Sequence, residues 1–231
     1  MSAGGPAGPA GPASAAGAGR GASHPLVAVY ADESCLGNGR AGDNPGGAGG
    51  LVEYRRPDGT LVRRDFWVSE PSTTNNRMAL RSAIEAFTAL SAKGQRFSVL
   101  FTSDSRYLVD GMRDWVHGWA RRGWRKADNK PVENLELWQR AIEAIAAGGH
   151  EVQWNWVRGH VGHPQNEYAN HLATQAATTR TCSGGLTPSG YESWEATLRA
   201  KGKLTGAPDP FPSPERFVPD RALPRAPVGR Y

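Results

Sequence analysis

Apolar positions change their period several times along the chain, and each change marks an element. Leu26-Val27-Ala28-Val29-Tyr30-Ala31 is a continuous β-rich run ending at Asp32, which predicts a strand followed by a polar, glycine-laden loop from Glu33 to Gly50. Leu51 to Tyr54 and Leu61 to Val68 flank Pro57-Asp58-Gly59, a turn signal that folds them into a hairpin. Thr74, Asn75 and Asn76 offer caps to a helix in which Leu80, Ala83, Ile84, Phe87 and Leu90 recur at three- and four-residue spacing. Phe97 to Thr102 is the next strand. Asn134 to Ala147, with Leu137, Trp138, Ala141, Ile142 and Ile145 on one stripe, is a second amphipathic helix. Val152, Trp154 and Trp156 alternate with Gln153 and Asn155, as in a strand with unlike faces. A last core helix starts near Gln165, behind Pro164, and runs to Thr178.

The order is βββαβ, then helices, then βα, which predicts an α/β domain with a mixed sheet covered by helices. The 231 residues suffice for one domain of about 150 residues with tails. Bulky apolar residues concentrate between Pro25 and Ala177, so one core is expected over residues 24–180. Residues 1–23 are Ala/Gly/Pro repeats with almost nothing to bury, and disorder is expected there. Tyr191, Trp194 and Leu198 recur at helical spacing within residues 181–204, an added helical extension expected to pack back on the domain. The alternative for that extension is a docking surface for a protein partner. Residues 205–231, with Pro208, Pro210, Pro212, Pro214 and Pro219, read as an extended proline-rich tail.

A formal charge of +5 and a pI near 9.5 suit a phosphate-bearing partner, although many proteins this basic touch no nucleic acid. Cys35 and Cys182 are the only cysteines and lack metal-ligand spacing, which speaks against a disulfide framework or a zinc site. A reducing cytoplasm is the expected setting. No run approaches the roughly 18 apolar residues of a membrane span, and the start of the chain lacks the apolar block of a secretory signal. A monomer without membrane contact is expected.

Three groupings of residues can carry chemistry. Asp32 closes the first strand and Asp104 the fourth, and strand ends brought together in one sheet can place two carboxylates on one magnesium ion. Each aspartate alone is more often a turn or cap residue. His160 and His163 sit on a glycine-rich loop between strand and helix, where a mobile imidazole suits proton transfer beside a metal. Trp115, Trp119 and Trp124 are interleaved with Arg121, Arg122, Arg125, Lys126 and Lys130. That segment is either a hydrophobic cluster with a solvated basic face or a surface that grips phosphates while rings pack on sugars or bases.

Taken in order, Asp32 to Asn38, Thr74 to Met78, Ser103-Asp104-Ser105, Gly118 through Asn129, and Gly159 to Pro164 resemble the motifs of bacterial type 1 ribonuclease H over roughly residues 26–180. The resemblance implies a ribonuclease H-like five-stranded mixed sheet, an acidic site at the strand ends holding Mg²⁺ or Mn²⁺, and a basic protrusion that binds the DNA strand. It implies cleavage of the RNA strand of an RNA–DNA hybrid, recognised by shape and 2′-hydroxyls with little sequence reading. Asp32 and Asp104 match metal-binding aspartates, and His160 matches the loop histidine. Asn38, Thr74, Asn75 and Asn76 match nucleic-acid contacts, and Trp115, Trp119, Arg121, Arg122, Trp124 and Arg125 fall in the protrusion.

Three positions depart from the family pattern. Ala79 stands where the family has a metal-binding glutamate, Asn170 where it has an aspartate, and Glu33 where a glycine follows the first aspartate. With only Asp32 and Asp104 as carboxylate ligands, weak metal binding and weak or lost cleavage are expected. Side chains on neighbouring strand positions point to opposite faces, so Glu33 is not expected to join Asp32 without an irregular backbone. Three readings follow: a hybrid-binding domain with impaired cleavage, an active endoribonuclease with a reduced Mg/Mn site, and a non-catalytic interaction scaffold.

Overall fold

Strand β1 (Leu26–Cys35) continues past its apolar run, through Asp32 and Glu33, and is the hub of the sheet. In the computed structural model, which describes residues 21–37, 44–159 and 162–225, β1 pairs antiparallel with β2 (Gly46–Arg55). Beyond β2 comes β3 (Leu61–Glu70), also antiparallel. On its other side β1 pairs parallel with β4 (Ser98–Ser103), and β4 with β5 (Glu151–Trp156). A two-residue strand β6 (Thr187–Pro188) adds to β3, so the mixed sheet has six strands in the order β5-β4-β1-β2-β3-β6, one more than the five expected.

The glycine-laden segment expected as loop is strand at both its ends: Glu33 to Cys35 completes β1, and Gly46-Gly47-Ala48-Gly49-Gly50 opens β2. Glycine is required there by close approach. A Cβ at Gly47 would lie 2.0 Å from the carbonyl oxygen of Ala173, and one at Gly49 2.6 Å from the amide nitrogen of Ala173. Without those side chains, helix α5 (Pro164–Thr179) can lay its backbone directly on the sheet.

Alternation along β1 divides the core. Val27, Val29 and Ala31 face α1 (Asn75–Ser91) and α4 (Leu135–Gly148), in a cluster centred on Phe87, Phe101 and the fully buried Trp138. Ala28 and Tyr30 face the other way, with Leu51, Tyr168 and Leu172. Helix α1 starts at Thr74, whose hydroxyl accepts from the Arg77 amide. Between β4 and α4 the chain forms α2 (Arg106–Asp110), a π-helical turn at Gly111–Trp115 and α3 (Val116–Arg121). Gly111 admits the edge of the Trp138 ring, which a Cβ would meet at 2.0 Å.

The C-terminal extension packs on the sheet. Helix α6 (Tyr191–Ala200) buries Tyr191 against Tyr168, and Trp194 packs on the same cluster, so the apolar stripe of this helix is turned inward. Residues 205–225 contain one 3₁₀ turn at Pro214–Arg216 and lie against the domain with Phe217 buried, next to the buried Leu204. Asp220 donates its amide to the Val152 carbonyl and accepts from the Trp154 amide, which covers the free edge of β5. With β6 on β3, both outer edges of the sheet are thus protected by this extension. Most of the 1–23 segment lies outside the described residues, as do residues 226–231. Among the described residues, no helix is long and apolar enough to cross a membrane.

Candidate active site

The register of the parallel pair creates the site. Pairing between β1 and β4 ends at Ala31 opposite Ser103, whereas β1 and β2 stay paired to Cys35 opposite Gly46. Asp32 and Glu33 therefore overhang β4, with a vacant strand position beside them. Asp104 follows the last residue of β4 and turns into that space. Ligand oxygens of Asp32, Glu33 and Asp104 lie within 4.8 Å of one another.

This arrangement corrects the expectation for Glu33. Alternation holds as far as faces are concerned: Asp32 Oδ2 accepts from the Asn166 side-chain amide of α5 at 3.2 Å, while Ser105, before α2, is the group that favours the ionised form of Glu33. Where a neighbouring strand has ended, however, side chains from both faces can reach sideways and meet at the strand end. No irregular backbone is needed, and the site holds three carboxylates instead of two.

Their closeness has an electrostatic consequence. Burial, and secondly Asp104, push the Asp32 carboxyl up to about 8, against hydrogen bonds from the Glu33 amide (2.6 Å) and from Asn166. Burial and then the charges of Asp32 and Asp104 hold Glu33 well above the usual carboxylate range, opposed by Ser105. The groups that favour ionisation are neutral donors, not cations. Glu33 Oε2 is sealed from solvent without a hydrogen-bond partner among the described residues, and so is Asn166 Oδ1. Clustered carboxylates with an orphaned, inward-facing oxygen are the donor set a hard divalent cation requires. The residues present therefore fit Mg²⁺ or Mn²⁺.

Other sequence-derived site residues fall out as follows. Asn170 is half-buried on α5, one turn beyond Asn166 and on the same helix face. Ala79 is fully buried in the α1 core cluster and offers only a methyl group. Thr74 is the helix cap; Asn75 is half-buried with an unpartnered Oδ1, and Asn76 is exposed. His160 and Asn38 lie outside the described residues. Gly159, just before His160, approaches Asp104 so closely that a Cβ would meet Oδ2.

Two of the three tryptophans between Trp115 and Lys130 belong to the hydrophobic core. Trp119 and Trp124 are each only 9% exposed and belong to the core, with Trp119 edge-on to Trp138 at 5.3 Å. Expected as binding rings, they are instead the hydrophobic support of the segment, because Trp138 of α4 closes over them. Trp115 remains exposed, as do Arg121, Arg122 and Arg125. Arg122 and Arg125 are oriented by bonds to the Arg125 and Asn129 carbonyls.

Sequence reasoning passed over Asn166 and Ser105, which touch two of the carboxylates. Asn166 carries a local signal, since it lies four residues before Asn170 on one helix. It also missed Arg106, whose guanidinium stacks 3.9 Å above the Trp156 ring while Trp156 donates to the Asp104 carbonyl.

A mixed sheet of this order, with carboxylates clustered where the pairing of β1 with β4 ends, defines a ribonuclease H-type fold. The RNase H family model matches residues 24–178, and the chain belongs to this family. Ribonuclease H of Edwardsiella ictaluri is 44% identical over 163 residues, covering 70% of this chain and 97% of the relative. Ribonuclease H of Escherichia coli is 42% identical over 166 residues, covering 72% and 96%. Among solved structures, LC9-RNase H1, described as a type 1 RNase H with the type 2 active-site motif, is 61% identical with a TM-score of 0.82. That match covers 90% of this chain and 98% of LC9-RNase H1, so it extends into the C-terminal extension.

Proposed function

We propose that this chain hydrolyses the RNA strand of RNA–DNA hybrids in a metal-dependent reaction, with Asp32, Glu33 and Asp104 as carboxylate ligands. The observation that carries this reading is the meeting of the three carboxylates, whose ligand oxygens lie within 4.8 Å of one another. The expectation of weak or lost cleavage rested on two carboxylates; a third removes half of the charge deficit. The description of LC9-RNase H1 as a type 1 enzyme with a different active-site motif supports a ligand set that departs from the pattern of other type 1 members.

Asp32, Glu33 and Asp104 would hold Mg²⁺ or Mn²⁺, and Asn170, one turn beyond Asn166 on α5, would add a neutral carbonyl oxygen. When bound, the ions supply Lewis acidity that activates water and stabilises the leaving oxygen of an in-line displacement. Asn166 orients Asp32, and Ser105 favours the ionised form of Glu33. Gly159 keeps the loop backbone against Asp104. Arg121, Arg122 and Arg125 offer exposed charge to phosphates, with Trp115 as an accessible ring. Asn75 and Asn76 present polar groups at the start of α1. The free thiols of Cys35 and Cys182 suit a reducing, cytoplasmic setting.

A labelled hybrid incubated with the protein and Mg²⁺ or Mn²⁺ tests the proposal. Cleavage confined to the RNA strand, falling at least about a hundredfold in Glu33→Gln and Asp104→Asn, is expected. Hybrid binding without cleavage in either metal would instead favour the impaired-binder reading, for which the Ala79 and Asn170 replacements speak.

A further inference from the structure

The extension beyond the family match reaches the N-terminus of α5, the helix that carries Asn166. Three bonds pin Asp209 there. Its carboxylate Oδ2 pairs with His163 Nε2 at 2.7 Å, its amide donates to Gln165 Oε1, and its carbonyl accepts from Gln165 Nε2. Gln165 is fully buried, so one side of this reciprocal pair is anchored in the core while Asp209 itself stays exposed. Three residues earlier, Gly206 lies so close to Gly162 that a Cβ would sit 2.0 Å from the Gly162 carbonyl oxygen. Arg199 of α6 holds the same segment by donating to the carbonyls of Leu204 and Gly206.

His163 connects this clamp to the carboxylates. It is the N-cap of α5, and its Nδ1 accepts from the amide of Asn166. An accepting Nδ1 requires the proton on Nε2, and the carboxylate of Asp209 selects that tautomer by accepting from it. The capped residue is the one whose side chain donates to Asp32 Oδ2. The bonds thus run Asp209, His163, Asn166, Asp32, from the C-terminal extension to the proposed ligand.

We propose that the segment Gly206–Asp209 is a positioning element of the metal centre, in which Asp209 fixes His163 so that the first turn of α5 holds the Asn166 amide on Asp32. The extension then does more than cover apolar surface, because it sets the orientation of a ligand. This inference rests on the reading of Asp32, Glu33 and Asp104 as a metal centre.

The test uses the full chain and reads Mn²⁺ binding to the free protein by electron paramagnetic resonance, beside kcat and KM on a hybrid and the melting temperature. Asp209→Ala should weaken Mn²⁺ binding and lower kcat by about three- to tenfold, somewhat below the usual effect of a direct partner of a metal ligand, and leave KM within about twofold. Asp209→Asn keeps an acceptor for Nε2–H and should restore both quantities. His163→Asn keeps a cap but cannot reach Asp209; it should match Asp209→Ala, and the double variant should be no worse than either. An Asp209→Ala protein that melts earlier yet binds Mn²⁺ and turns over like the parent would reduce the clamp to a structural staple and overturn the proposal. If Asp209→Ala does not fold, parental behaviour of His163→Asn overturns it equally. A parent that binds no Mn²⁺ and cuts no hybrid defeats the metal-centre reading itself, and this inference falls with it.

Discussion

Gly159 and Asp104 are packed so tightly that a Cβ on the glycine would lie 2.0 Å from Asp104 Oδ2 and 3.1 Å from its Cγ. The loop after β5 thereby limits where this carboxylate can rest. Gly159→Ala should push Asp104 aside and lower hybrid cleavage by about tenfold or more, since displacements near 1 Å are costly at reacting centres. The melting temperature should change little, because the contact is with the end of one side chain. Parental cleavage by a folded Gly159→Ala protein would show that Asp104 has room to move.

The raised carboxyl groups predict an unusual pH dependence. Asp32 rises from an ordinary carboxylate value to about 8 in the folded chain, and Glu33 is raised too. In that window the folded state holds more protons than the unfolded state, so stability falls as pH rises. Metal-free protein should therefore melt at progressively lower temperature between about pH 5 and pH 8.5. Mn²⁺ or Mg²⁺ should raise the melting temperature, by more at high pH, because the ion competes with protons for the same oxygens. Melts with and without metal check this; a metal-free profile flat across the window would contradict it.

Asn170→Asp adds a fourth carboxylate. Metal affinity should rise, with the Mg²⁺ midpoint for cleavage moving down by about three- to tenfold. Metal-free protein should lose stability, as another negative charge joins an already strained cluster. Both effects are read from one preparation by metal titration and thermal melting.

The tryptophans of the protrusion should separate into two kinds. Trp119→Ala should cost about 3–5 kcal/mol of stability by opening the core beneath Trp138, measured by denaturant unfolding. Trp115→Ala should leave stability nearly unchanged and weaken hybrid binding. Alanine at Arg121, Arg122 or Arg125 should likewise spare stability. Each should also flatten the salt dependence of hybrid binding, by close to one unit of slope for every phosphate that is no longer neutralised.

Asp65 and Tyr168 tie the extension to the sheet. The Tyr168 hydroxyl donates to Asp65 Oδ2 at 2.6 Å, and the Gly190 amide donates to the same oxygen. Asp65 is only 3% exposed, and burial raises its pKa. Tyr168→Phe should destabilise the protein by about 1–3 kcal/mol, the cost of leaving a buried acceptor short of a donor. Hybrid cleavage by the folded fraction should be retained.

Much of this protein can be read locally. The alternation of β1 and the helical stripes of α1 and α4 follow from side-chain period, which depends on near neighbours in sequence. The glycine run misled because glycine marks both loops and close backbone approach. Which of these applies to Gly47 and Gly49 depends on Ala173, more than a hundred residues away in the chain. Trp119 and Trp124 were similarly ambiguous, since an aromatic beside arginines suits a core edge as well as a binding surface.

By itself the sequence determined the order of elements, the family motifs and the identity of every acidic group available to the site. Only the tertiary structure decided that Glu33 joins Asp32 and Asp104, because that depends on β4 ending at Ser103 while β1 continues beside β2. Alternation specifies the face a side chain leaves from. Where its charged end arrives is decided by which neighbouring strand is absent.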